Sequence, residues 1–184
     1  MPNPDVPTEF ARVIDDNYER IYNLLVWLVG DREAAADLTQ DTFVRAYQAW
    51  GHFRGESQVS TWLYRIAVNL ARNFIERRST ERRVTTPLEP QSEADEGPPV
   101  EIADSGLGPE ATVTNRELGN LIARELAALR PEHREIIILR DIEGLSYQEI
   151  AKVLGCSVQA VKSKLFRARS AMRKRLAPYM GWEP

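Results

Sequence analysis

Residues 145–169 read LSYQEIAKVLGCSVQAVKSKLFRAR, and this stretch decides the fold. Ser146 and Glu149 form the S-x-x-E pattern, in which a hydroxyl and a carboxylate satisfy each other's free amides at a helix start. The pattern predicts a short helix over 147–154, with Ile150, Ala151 and Leu154 as its apolar face. Gly155 stops it, because glycine enters the left-handed conformation at no steric cost. Ser157 then caps a second helix that continues to about Leu176. Along that helix Val158, Val161, Leu165, Ala168, Met172 and Leu176 recur at helical spacing, and small Ala151 lets the two helices approach closely. Two helices joined by a tight glycine turn make a helix-turn-helix, whose second helix lies in the major groove of DNA.

The face left over on the second helix carries the chemistry. At about 100° per residue, Gln159, Ser163, Phe166 and Arg167 point away from the apolar stripe, and Lys162 lies on its flank. Lys and Arg donate to guanine acceptors, and Gln pairs with adenine. Lys164, Arg169, Arg173, Lys174 and Arg175 suit phosphates, which position a helix without reading sequence. The plain alternative is a solvated basic face on a structural helix; the capped helix-turn-helix beside it favours DNA. Cys156 falls in the turn, where a small buried side chain is the plain reading and redox sensing the sharper one.

Charge is distributed unevenly along the 184 residues. The net value of −3 conceals local balances of −5 over 1–50, +4 over 51–83, −7 over 84–110, −2 over 111–151 and +7 over 152–184. Two separate basic blocks are the footprint of a chain that touches nucleic acid at two places. The intervening VTTPLEPQSEADEGPPVEIADSGLGPE has five prolines, seven acids, no base and no aromatic residue. It buries too little apolar surface to offset its ordering entropy, so 84–110 is expected to be a flexible acidic linker. It separates an N-terminal domain, 1–83, from a C-terminal domain, 111–184.

Both domains read as helical, so the expected fold class is all-α. Phe10, Val13, Ile14, Ile21, Leu24, Leu25 and Leu28 mark a first helix ending near Gly30. Asp31 caps a second that runs to about Trp50. A loop over 51–59 leads to a third helix starting at Ser60 or Thr61, TWLYRIAVNLARNFIERR. In the C-terminal half, one helix is expected over 110–129 and another from Pro131 to Gly144.

Two constellations stand out in the N-terminal domain. Asp37, Gln40, Asp41 and Arg45 share one face, which is either ordinary solvated surface or a docking face for a basic or polar helix. The third helix carries Trp62, Tyr64, Asn69, Arg72, Asn73, Arg77 and Arg78. Asn side chains hydrogen-bond base edges, aromatics stack on unpaired bases, and Arg tracks the backbone, a set that suits single-stranded or melted DNA. Trp62, Leu63, Ile66 and Leu70 are also at core spacing, so Trp62 reads as packing before stacking.

Other classes are poorly supported. His52 and His133 lie in different domains, Cys156 is the single cysteine, and none of them has zinc-site spacing. No phosphate-binding glycine motif is present, so neither catalysis nor a cofactor is expected. Leu24–Val29 and Ile136–Leu139 are too short to span a bilayer, and Met1–Phe10 lacks the basic and apolar parts of a signal peptide. With 43% hydrophobic and 28% charged residues, the chain is expected to be a soluble cytoplasmic protein with no membrane insertion and no small-molecule substrate.

DLTQDTFVRAYQAW, FRGESQVSTWLYRIAVNLARNFIERR and LRPEHREIIILRDIEGLSYQEIAKVLGCSVQAVKSKLFRARSAMRKRL, in this order around a variable linker, resemble the extracytoplasmic-function group of bacterial sigma factors. The resemblance implies that Asp37, Gln40, Asp41, Phe43 and Arg45 dock on core RNA polymerase. It implies that Phe53, Asn69, Arg72, Asn73 and Arg77 handle the minus-ten element, with Asn69 and the 53–59 loop holding a flipped base. Gln159, Lys162, Ser163, Lys164, Phe166, Arg167 and Arg169 fall to the minus-thirty-five element of promoter DNA. It also implies an anti-sigma factor as regulatory partner. Two readings compete with it. A non-sigma helix-turn-helix regulator needs an upstream sensing domain that the N-terminal half does not show. A polymerase-binding protein that reads no promoter leaves the two basic helices without a use.

Overall fold

The computed structural model describes residues 8–55, 57–85 and 113–181, and every regular element among them is helical. The order is α1 (Thr8–Val29), α2 (Arg32–Ala49), a 3-10 turn (Trp50–His52), α3 (Val59–Thr85), α4 (Val113–Ala127), α5 (Pro131–Ile137), a π-helical turn (Ile138–Ile142), α6 (Tyr147–Leu154) and α7 (Val158–Met180). They divide into two compact units: α1–α3 belong to the first, and α4, α5, α7 and most of α6 to the second.

The first unit is a three-helix bundle in which each helix packs on the other two. Of the expected stripes, Phe10, Ile21, Leu24, Leu25 and Leu28 of α1 and Leu63 and Leu70 of α3 are buried in its core, Val13, Ile14, Trp62 and Ile66 are half-buried, and Ala67 and Val68 of α3 join the core where the sequence did not mark them. Thr39 and Thr42 of α2 are also buried; their hydroxyls donate to Ala35 O at 2.6 Å and Leu38 O at 2.7 Å. Both of these buried hydroxyls are thus satisfied within their own helix. Asp31 caps α2 as expected, its carboxylate accepting from the Ala34 amide at 3.1 Å.

The second unit is organised around α7, which packs on α5 and α4. Pro131 occupies the first turn of α5, where a missing amide costs nothing. Arg134, buried three residues on, donates to Ala127 O and, at 3.4 Å, to Leu129 O. It satisfies carbonyls that the end of α4 leaves open. Burial holds its guanidinium below the ordinary arginine value, yet arginine remains charged.

The capping box of α6 forms reciprocally: the Ser146 amide donates to Glu149 Oε2 at 2.8 Å, and the Glu149 amide to Ser146 Oγ at 3.2 Å. Gly155 ends the helix at φ 65°, and the Cys156 amide reaches back to Ala151 O at 3.0 Å, the bond that closes a Schellman turn. Replacing Ser146 by alanine removes one half of the box and is expected to cost about 1 kcal/mol. The check is a lower midpoint in thermal unfolding of the second unit, with the first unit unchanged.

Several boundaries differ from the sequence reading. The third helix starts at Val59 and continues to Thr85, so Val84 and Thr85 are helical rather than linker. The helix expected from Pro131 to Gly144 widens into a π-turn at Ile138. The last helix runs past Pro178 to Met180 and ends where Gly181 turns left-handed at φ 64°. Its final turn is held by Arg124, whose guanidinium donates to Tyr179 Oη at 3.0 Å and lies 5.4 Å over that ring. The acidic stretch 86–110 lies outside the described residues, as does the expected helix start near Glu110.

Candidate nucleic-acid interface

Local capping sets the start of the first candidate face. Ser157 Oγ accepts from the Ala160 amide at 3.1 Å and anchors the N-terminus of α7. Val161, Leu165 and Ala168 are buried on one side. Gln159, Lys162, Ser163, Phe166 and Arg167 are consequently exposed on the other, as the wheel predicts. Phe166 is 76% exposed, an unusual placement for a phenyl ring. With Lys162, Ser163 and Arg167 it lines a shallow open depression on the helix. Cations, a hydroxyl and an apolar ring on one convex helix are the groups that read base edges and thymine methyls.

The other cations of α7 divide into two sets. Arg173 and Lys174 are exposed, and Lys164 is half-buried. Arg169, expected on phosphate, instead pairs with Asp141, Nε to Oδ2 at 3.1 Å with a second parallel bond. Hydrogen bonding to Asp141 pushes its guanidinium above the ordinary value. Arg175 pairs with Glu125 at 3.0 Å, and Arg124 meets the same carboxylate at 3.1 Å. The partners lie 28 and 50 residues away in sequence, so no helical wheel of α7 alone reveals them.

The second face lies on α3. Arg65, Asn69, Asn73 and Arg77 are exposed, with half-buried Arg72 between them. Steps of four residues align Arg65, Asn69, Asn73 and Arg77 in one polar stripe, half arginine and half asparagine, with Arg72 at its edge. Arg65 belongs to this stripe but was not expected; its position four residues before Asn69 is the signal that identifies it. The loop before α3 is fixed by rings. Phe53 stacks on Trp50 with centroids 5.6 Å apart and planes at 10°, and lies 4.9 Å from Trp62. Trp50 in turn contacts Phe10 at 5.2 Å, edge to face. Trp62 therefore packs against the loop, and half-buried Phe53 is tied to it by both tryptophan rings.

The third face lies on α2. Asp37, Gln40, Asp41 and Arg45 are all exposed. Val44, 54% exposed, completes the i, i+3, i+4, i+7, i+8 stripe with an apolar centre that the charge pattern alone did not flag. Phe43 departs from expectation. It is 6% exposed and stacks on Tyr18 at 6.0 Å, because its position on α2 faces the bundle, so its contribution is to the core.

Other expectations concern chemistry. Among the described residues no group of three or more His, Cys, Asp or Glu is placed to hold a metal ion, and no helix is long and apolar enough to cross a membrane. Cys156 is a free, half-buried thiol.

Comparison with known proteins converges on one family. Residues 13–81 match the Sigma-70 region 2 model, and residues 119–172 match Sigma-70, region 4. The RNA polymerase sigma-H factor of Pseudomonas aeruginosa is 36% identical over 165 residues, covering 88% of this chain and 82% of that protein. The ECF RNA polymerase sigma-E factor of Escherichia coli is 37% identical over 144 residues, or 77% and 73% of the two chains. Among solved structures, the sigma factor RpoE in complex with the anti-sigma factor NepR from Bartonella quintana superposes with a TM-score of 0.69 at 24% identity, over 92% of this chain and 98% of that one. CnrH in complex with the cytosolic domain of CnrY gives a TM-score of 0.64 at 24% identity, over 92% and 88%. The region 2 match contains the α2 and α3 faces, the region 4 match contains the α7 face, and the chain belongs to the extracytoplasmic-function group of bacterial RNA polymerase sigma factors.

Proposed function

We propose that this sigma factor reads promoters with two separate DNA faces and docks on core polymerase with a third. Family membership makes it a subunit for promoter-specific transcription initiation. The observation that carries the residue-level reading is the exposure of three side-chain stripes, each on its own helix and each leaving its unit's core intact.

On α7, Lys162, Ser163, Phe166 and Arg167 read the minus-thirty-five element, with Gln159 at the helix start. Lys164, Arg173 and Lys174 supply phosphate contacts. On α3, Asn69 holds a base flipped from the minus-ten element, and Arg65, Arg72, Asn73 and Arg77 follow the strand. Phe53 positions the capture loop through Trp50 and Trp62. On α2, Asp37, Gln40, Asp41, Val44 and Arg45 meet the polymerase.

Polymerase supplies the catalysis; this chain supplies binding energy. Capturing an unpaired base offsets part of the few kcal/mol that unstacking costs. Domain boundaries near 83 and 111 let two modest DNA contacts cooperate through effective concentration. The cytoplasm is the proposed compartment, and an anti-sigma factor that covers the docking and DNA faces is the proposed regulator.

The test is transcription in vitro with purified core polymerase and a pool of genomic promoter fragments. New transcripts that share two upstream elements are expected only when the protein is added. Asp41→Arg places a repulsive charge at the centre of the docking stripe and is expected to lower those transcripts at least tenfold, with matching loss of core binding in a pull-down. Full activity of the folded variant would remove α2 from the docking surface.

A further inference from the structure

Arg169 stands two residues after Arg167 on the DNA-facing half of α7, yet its charge is turned toward the protein. Its guanidinium meets Asp141 through two parallel hydrogen bonds, the most directional geometry available to an ion pair. Asp141 lies in the π-helical turn over 138–142, an irregular segment with its own internal ladder: the Glu143 amide donates to Ile138 O at 2.9 Å and the Leu145 amide to Leu139 O at 3.0 Å. Next to it Arg140 donates to Leu145 O at 2.7 Å and lies 5.1 Å over the Tyr147 ring at the start of α6. The π-turn, the first helix of the helix-turn-helix and α7 are therefore tied at one point. The pair is also accessible, with 50% of the Arg169 side chain and 35% of that of Asp141 exposed, so a phosphate has room to compete for the arginine.

We propose that Asp141 is a specificity-determining positioning residue, which holds Arg169 off the DNA backbone and fixes the rotation of α7. The proposal rests on the reading of α7 as the minus-thirty-five reader and deepens it. A phosphate contact strengthens every duplex alike. An arginine released at the edge of the face adds such a contact and lets the helix settle in more than one rotation. Base-edge contacts by Ser163, Phe166 and Arg167 demand one rotation only. Holding Arg169 therefore favours the matched duplex by disfavouring the others.

The experiment measures binding of the full-length chain, assembled with core polymerase, to duplex fragments with the upstream element intact or scrambled, across a salt titration. Asp141→Asn is expected to steepen the slope of log K against log salt by about 0.9, the value for one added phosphate contact. It is also expected to tighten scrambled duplex more than matched duplex, so that discrimination falls several-fold. Asp141→Asn combined with Arg169→Gln is expected to return the slope to that of the parent. An unchanged slope in Asp141→Asn overturns the proposal. So does a slope flattened by about 0.9 in Arg169→Gln alone, because Arg169 then already sits on phosphate in the complex. Lys162→Ala with Arg167→Ala run in parallel separates the two ideas: if that double variant binds as the parent does, the reading of α7 fails instead. Thermal midpoints close to the parent's are expected throughout, since an exposed ion pair contributes little to stability.

Discussion

Replacing both Lys162 and Arg167 by alanine is expected to reduce transcription from intact promoters by roughly 30-fold or more, while core polymerase is still bound. A side chain that reads a base edge contributes about 1–3 kcal/mol of discrimination, so loss of two amounts to roughly 30-fold at least. Neither residue touches the core: Val161, Leu165 and Ala168 are the buried positions of this part of α7, and the substituted side chains are exposed. Stability is therefore expected to change by no more than about 0.5 kcal/mol, and circular dichroism melts would verify it. Salt dependence tells reading from mere charge. Were both residues phosphate contacts, the slope of log K against log salt would flatten by about 1.8 and promoter preference would survive. With base readers, preference itself relaxes: transcripts from a mixed promoter pool are expected to lose their shared upstream element. A double variant that keeps both its output and its promoter preference would remove α7 as the reader.

The way α7 was legible, and the way it was not, follow from the range of the interactions involved. Caps, glycine stops and helical periodicity act within a few residues, so Ser146, Glu149, Gly155 and Ser157 announced the helix-turn-helix in the sequence, and the hydrogen bonds match. The exposed set Gln159, Lys162, Ser163, Phe166 and Arg167 followed from the same periodicity. Arg169 and Arg175 did not, because what neutralises them arrives from elements brought near only by folding. The same limit explains the N-terminal unit. Phe43 sits within a stretch of charged neighbours, but one helical step turns it into the bundle. Core spacing announced that Trp62 packs, but not that its partner is the ring of Phe53 from the preceding loop. Helix ends were the least legible feature: the last helix is expected to end near Leu176, while the contacts of Tyr179 with Arg124 carry it onward to Met180.

Asn69→Ala is expected to lower transcription from fully paired promoters by about tenfold to a hundredfold and to leave transcription from templates already unpaired across the minus-ten element far less affected. Asn69 is exposed near the middle of α3, with Arg65 and Asn73 one turn to either side. Alanine is the better helix former at such a position, so the variant is expected to fold at least as well as the parent. What it loses is an amide that can donate to and accept from one base edge at once. Drawing a base out of the stack costs a few kcal/mol, and the bonds made to it afterwards must offset that cost. A bidentate amide–base pair contributes about 1–3 kcal/mol, which sets the size of the expected defect. An artificially opened template has the unstacking already done, so the same lost bonds matter less for reaching the open state. The paired comparison therefore isolates melting from binding. Equal defects on both templates would mean that Asn69 contributes to binding alone, and no defect on either would move base capture elsewhere on the α3 stripe, with Asn73 the next side chain of the same chemistry.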